Sequence, residues 1–261
     1  MVLQPDIPLN FICKRCPMGK RIRIVLLFLF LSVGGLSGCG VIDAVFLKPP
    51  QDTALELLQA GNSAMGQENY TQAITYYTKL KDQYPFSPYT AQAELRLADA
   101  YFLDKRFAAA ENAYKEFESL HPGHEDIAYV LFRIGLSNYK QFKSIDLPQD
   151  NVTEALQYFN RVAEAYPQEP IAEEAREYAR KCHRFRAEHE LFVADFYWRT
   201  KSYLSAWKRY SYVADNFPMF DDIQKYAKTR TRLAYLLYQR KAAEEERVAQ
   251  QGSWKELFDW L

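Results

Sequence analysis

A chain of 261 residues has room for one large domain or two small ones, and its 48% hydrophobic and 25% charged residues are those of a folded soluble protein. Aromatics are unusually frequent at 15%, with 19 Tyr and 17 Phe against only 10 Gly, which favours helices packed through rings. The 33 basic and 33 acidic residues cancel, but five of the bases fall within the first 38 residues, so the remainder is acidic and lacks the basic stripe that nucleic acid requires.

Lys20-Arg21-Ile22-Arg23 forms a basic head, and Ile24 to Leu31 an apolar run that fades into Ser32-Val33-Gly34-Gly35. That run is too short to cross about 30 Å of hydrocarbon as a stable helix, but it suits a secretory signal. Leu36-Ser37-Gly38-Cys39 follows at once and resembles a bacterial lipobox. The resemblance implies that residues 1–38 are a lipoprotein signal peptide, cleaved after Gly38, and that Cys39 is acylated on its sulfur and its new amino group. Three acyl chains, at roughly 0.8 kcal/mol per buried methylene, make an effectively permanent membrane anchor. Gly40 rather than Asp comes next, so delivery to the outer membrane, facing the periplasm, is expected. Pro5, Asp6 and Pro8 are out of place in a signal, which makes Met18 the candidate translation start. Cys13 and Cys16, a C-x-x-C ahead of the signal, are expected to be lost, leaving Cys182 as a small half-buried helix residue.

Residues 39–51 read as a lipidated tether that ends in Pro49-Pro50, with helical patterning starting after Asp52 as N-cap. Four segments then superimpose without gaps: Tyr70, Ala73, Tyr77, Pro85; Phe107, Ala110, Tyr114, Pro122; Val152, Ala155, Phe159, Pro167; and Tyr203, Ala206, Tyr210, Pro218. The small residue lets a second helix (B) approach its partner, the aromatic four places on fills a groove, and the proline ends the helix. Upstream, each first helix (A) offers its own small residue at Gly61, Ala98, Gly135 or Ala194. This resembles the tetratricopeptide pattern and predicts an all-α tetratricopeptide-repeat superhelix of about five helical hairpins over residues 52–251.

The prolines are 37, 45 and 51 residues apart, so the repeats are irregular. A loop from Lys140 to Asn151 accounts for the second excess, and an unbroken helix from Ile171 to Arg199, roughly 43 Å long, accounts for the third. The stretch from Asp221 to Gln251 reads as a fifth, degenerate hairpin. After Gly252-Ser253, residues 252–261 place Trp254, Leu257, Phe258 and Leu261 on one face of a capping or docking helix.

Catalytic constellations are weak. His121 and His124 sit in a turn with no carboxylate or thiol at ligand spacing, His183 and His189 do not share a helix face, and phosphate loops and nucleophile elbows are absent. No enzymatic role, metal or cofactor is expected. The surface of stacked A helices suits polypeptide partners instead, with Tyr101, Tyr139 and Tyr197 as candidate contacts that core packing also explains.

Three stretches go beyond the generic repeat: Tyr84-Pro85-Phe86-Ser87-Pro88-Tyr89, Tyr129 to Tyr139, and the run from Glu190 through Ala194-Asp195-Phe196-Tyr197 to Arg209 and Pro218. In order and spacing they resemble the BamD family, the tetratricopeptide lipoproteins of the outer-membrane β-barrel assembly machine. The resemblance implies a non-enzymatic part in inserting outer-membrane proteins. It implies N-terminal repeats that receive nascent outer-membrane proteins, and C-terminal repeats that dock on the POTRA-bearing barrel subunit, with Arg209 matching an arginine of that docking face. Accessory lipoproteins are possible further partners. The alternative is a tetratricopeptide lipoprotein adaptor for peptidoglycan enzymes or divisome proteins, which would share lipobox and repeats but not the extra runs.

Overall fold

The computed structural model describes residues 52–251; Cys39, the tether and the Trp254–Leu261 segment lie outside the described residues. Among the described residues there are helices and no strands: α1 (Ala54–Gly66), α2 (Tyr70–Gln83), α3 (Thr90–Leu103), α4 (Phe107–Leu120), α5 (Ile127–Gln141), α6 (Asp150–Ala165), α7 (Ile171–Arg199), α8 (Tyr203–Asn216) and α9 (Asp221–Gln251). Each packs on its neighbours in the chain, and the A helices α5, α7 and α9 also touch in succession. This is a tetratricopeptide-repeat array. No described helix is long and apolar enough to cross a membrane.

The sequence offsets are packing rules. Ala73, Ala110, Ala155 and Ala206 are wholly buried, and so are Tyr77, Tyr114, Phe159 and Tyr210 four residues on. Each ring lies on its own hairpin's A helix rather than in the next groove. A Cβ added at Gly61 would stand 2.4 Å from a ring carbon of Tyr77, and one at Gly135 2.9 Å from Phe159. The residue after the small one completes the contact. The Tyr77 hydroxyl donates to Asn62 (2.7 Å), that of Tyr114 to Asp99 (2.6 Å), and that of Tyr210 to Asp195. In the third hairpin the ring is Phe159, with no hydroxyl, and the matching place holds Leu136. Polar meets polar and apolar meets apolar, as burial demands.

The turns repeat as well. Glu68, Lys105 and Lys201 each take φ near +60° two residues before helix B, closing the A–B turn in three of the hairpins. Each B helix stops before its proline, and the amide three residues past the capping Tyr84, His121, Tyr166 or Phe217 donates back to that residue's carbonyl.

Four details differ from the sequence reading. The first N-cap is Thr53, not Asp52: its hydroxyl accepts from the Glu56 amide while the Glu56 carboxylate accepts from the Thr53 amide (2.7 Å), a capping box. The irregular loop spans only 142–149, because α5 runs to Gln141 and α6 begins at Asp150. The extended α7 pins that loop, through Phe185 stacked on Phe142 and through His189 bonded to the Ile145 carbonyl. The stretch expected to be a fifth hairpin is one continuous helix, α9, with no Gly or Pro from Asp221 to Gln251. Cys182 is wholly rather than half buried, and burial pushes its thiol up to about 12.

Two outcomes test this packing. Gly61→Ala is expected to lower the unfolding free energy measured in urea by about 1–2 kcal/mol despite alanine's better helix propensity, since the Tyr77 ring is wholly buried and its hydroxyl is bonded to Asn62. Gly66→Ala, which meets nothing within 4 Å, should be neutral or stabilising. Burial also holds Tyr77, Tyr129 and Cys182 at about 12. Unfolding returns such groups to roughly 10 for tyrosine and 8.5 for cysteine, so above these values the unfolded state has released protons that the folded state keeps. Stability contributed by these groups should therefore be complete below about pH 8.5 and fall as pH rises towards 12. Denaturation titrations across that window should show the decline, and native Cys182 should resist alkylation until the chain unfolds.

Candidate binding surface

Two equivalent networks tie successive A helices together. In the second hairpin the Asp99 carboxylate, almost wholly buried, accepts from the hydroxyls of Tyr114 (2.6 Å) and Tyr129 (2.7 Å) and pairs with Arg96 at 3.4 Å. Arg133 donates to the Tyr114 oxygen (3.0 Å), and its guanidinium lies 3.7 Å from the centre of the Phe102 ring. Burial and the Asp99 charge together push both tyrosine hydroxyls well above the ordinary range. In the fourth hairpin Asp195 accepts from Tyr210 and from Tyr226 (2.9 Å), while Arg230 stacks 4.7 Å over Trp198.

Each network therefore contains an acid beside the small residue, the tyrosine of its own B helix, and a Tyr-x-x-x-Arg from the next A helix. It joins three helices and fixes one hairpin against the next. Aligning B helices alone overlooks it; aligning A helices would have found Tyr129-x-x-x-Arg133 and Tyr226-x-x-x-Arg230. The first hairpin keeps half the device, with Asn62, Tyr77 and Arg96 but Gln92 in place of the tyrosine.

Between α3 and the start of α5 lies an open concavity of about 500 Å³. Leu95 and Tyr129 form its apolar wall, Arg96 and His124 supply donors, and Asp99, Glu125 and Asp126 supply acceptors. Mixed charge of this kind suits a polypeptide rather than a phosphate or a single ion. Among the described residues no group of three His, Cys, Asp or Glu could hold a metal. His121 does meet a carboxylate, which its sequence neighbours did not reveal: Nε2 lies 2.7 Å from Glu94 on α3, and the pair bridges two helices of the second hairpin.

The residues singled out beforehand fall in several places. Tyr101 is half-buried between the first two cores, with the Arg106 guanidinium 4.8 Å from its ring centre. Tyr139 is wedged against Tyr178 (5.1 Å) and Phe185 (5.7 Å) of α7. Tyr197 packs edge-on against Phe196 at 5.6 Å. All three contribute to packing, and each keeps part of its surface open. Arg209 stands on α8 with its side chain 46% exposed, bonded to Glu190 of α7 at 2.6 Å. The structure does not bring these four into one site; they are spread along the array.

Exposed apolar surface is concentrated towards the C-terminal end. Of the 14 large hydrophobic residues exposed among the described residues, nine lie between Phe192 and Leu236, on α7, α8, α9 and the turn before α9. Leu236 is 61% exposed and Phe196 51%. Such a density of exposed apolar residues is higher than in the hairpins before it.

Known proteins resemble this arrangement along most of its length. The outer membrane protein assembly factor BamD of Vibrio cholerae is 28% identical over 199 residues, covering 72% of this chain and 81% of its own. The protein of the same name from Neisseria gonorrhoeae is 28% identical over 203 residues, covering 74% of this chain and 75% of its own. Among solved structures, the first TPR of Spaghetti (RPAP3) bound to HSP90 peptide SRMEEVD superimposes with a TM-score of 0.40 at 28% identity, over 51% of this chain and 93% of that one. The profile of the YfiO family, described as outer membrane lipoprotein, matches residues 50–253, a span that takes in every described helix. This chain belongs to the YfiO family of outer membrane lipoproteins.

Proposed function

We propose that this protein is a lipid-anchored, non-enzymatic assembly factor that helps to insert β-barrel proteins into the outer membrane. The observation that carries the reading is the family match across residues 50–253, together with relatives that bear the name of outer membrane protein assembly factor. Acylated Cys39 holds the protein to the inner face of the outer membrane, and the helical array hangs in the periplasm. Nascent barrel proteins engage the N-terminal repeats, where the concavity beside Tyr129 offers an apolar wall and hydrogen-bonding groups of both kinds. The POTRA-bearing subunit docks on the C-terminal repeats. The exposed residues from Phe192 to Leu236 favour that assignment, because apolar area left in water is recovered when a partner covers it.

Arg209 fits the rim of this second surface. It is exposed, and its only described ion pair is with Glu190 on the neighbouring helix. Arg209→Glu turns the ion pair with Glu190 into two like charges and reverses the charge shown to a partner. Affinity for the POTRA-bearing subunit is expected to fall roughly tenfold with helicity unchanged, the scale of one lost rim pair. Titration calorimetry alongside circular dichroism checks it, and unchanged affinity removes Arg209 from the docking face.

In cells, depletion of the protein should lower the amount of folded outer-membrane barrels, read as heat-modifiable mobility on gels. Intact barrel levels after depletion would overturn the assembly reading. Recovery of murein enzymes alone from solubilised envelopes would replace it with an adaptor role.

A further inference from the structure

The turn between α2 and α3 carries the most exposed large hydrophobic side chain among the described residues. Phe86 is 99% exposed, whereas the equivalent places after the other prolines hold Gly123, Gln168 and Met219. Nothing in the repeat calls for a ring there. The turn is also rigid. Pro85 and Pro88 flank the tip, the Ser87 amide donates to the Tyr84 carbonyl (3.0 Å), the Thr90 hydroxyl donates to the same carbonyl (2.6 Å), and the Tyr89 amide donates to the Ser87 hydroxyl (3.3 Å). A ring held out on a fixed turn loses little conformational freedom when it is buried.

Its position in the array identifies what buries it. Asn62 faces Tyr77 across the first hairpin, so counting outward along these antiparallel helices brings Leu55 level with Tyr84. Glu94 near the start of α3 holds His121 at the end of α4, which brings Leu120 to the same end. Leu55 (41% exposed), Phe86 and Leu120 (55%) therefore project from one end of the first two hairpins. That is also the end at which the chain enters from Cys39. The 14 residues from Cys39 to Thr53 reach at most roughly 50 Å, so an acylated Cys39 keeps the start of α1 within that distance of the bilayer.

We propose that the Tyr84–Tyr89 turn is a second foot on the membrane, with Phe86 inserting among the lipid headgroups beside Leu55 and Leu120. The proposal rests on the acylation of Cys39 put forward above. The contact is apolar rather than electrostatic, because Glu56, Asp82, Glu125 and Asp126 are exposed at the same end and do not attract anionic lipid. A bimane fluorophore on Phe86→Cys tests it in the full acylated protein, reconstituted into vesicles of phosphatidylethanolamine and phosphatidylglycerol. The site is already in solvent, so the exchange leaves the fold intact, and buried Cys182, with its thiol pushed up to about 12, takes no label. Bimane on Leu103→Cys, at the opposite end of the second hairpin, serves as the dry-land control.

The expected result is a blue-shifted emission at position 86, quenched by doxyl-labelled lipid and insensitive to salt, with a water-like emission at 103. Water-like emission at 86 on vesicles that carry the protein through flotation would overturn the foot while leaving the anchor intact. Protein that fails to float would overturn the anchor and the foot together. A shift at 86 that appears only on adding a partner protein would overturn the membrane contact in favour of a protein one.

Discussion

The close approach of a bare or nearly bare backbone on each A helix to a buried ring on its B helix is the contact on which the array depends. Where the A helix has Gly61 or Gly135, the ring lies closer than any Cβ allows; where it has Ala98 or Ala194, the methyl is itself wholly buried. A ring at that depth must have its hydroxyl matched or must have none. Three hairpins answer with Asn62, Asp99 and Asp195, and the third removes the question with Phe159 and Leu136. The distance between helices, the identity of the next residue and the stiffness of the hairpin all follow from that one contact.

Once an acid is buried beside the ring, it needs more than one donor, and the additional donors come from the next hairpin. Asp99 is satisfied by Tyr129, and Asp195 by Tyr226. The arginine four residues on then stacks over an aromatic of the first helix, Arg133 on Phe102 and Arg230 on Trp198. A demand that is local to one hairpin thus becomes a link between two. This matters for binding, because a surface made of separate helices holds its shape only if successive A helices keep a fixed register.

The B helices were legible in the sequence because their signals are local: a ring, a small residue and a proline at fixed offsets within one helix. The long α7 was legible because breakers are absent from Ile171 to Arg199. What the sequence hid was non-local. The partner of His121 is Glu94, 27 residues away, and the second donor to Asp99 is 30 residues away. The fifth unit, expected as a degenerate hairpin, is a single helix, and composition alone could not have told the two apart, since the turns at Lys105 and Lys201 also lack Gly and Pro. Tyr101, Tyr139 and Tyr197 were legible as aromatic positions, yet their degree of exposure depends on neighbours such as Tyr178 and Phe185 that spacing does not reveal.

The same rules set α9 apart from the A helices before it. Arg133 stands two residues before Gly135, and Arg96 two before Ala98; counting likewise from Arg230 puts Arg232 where a small residue would receive the next ring. A guanidinium stem there is bulkier than the Gly or Ala on which the other B-helix rings pack. On the same helix Leu233 and Leu236 are 44% and 61% exposed. An array of this kind always ends with one face unpaired, and chains that need only solubility make that face polar. Here the exposed residues of α9 are mixed, Leu233, Tyr235 and Leu236 beside Arg232 and Arg240, and this is the surface that the proposed docking of a partner would use.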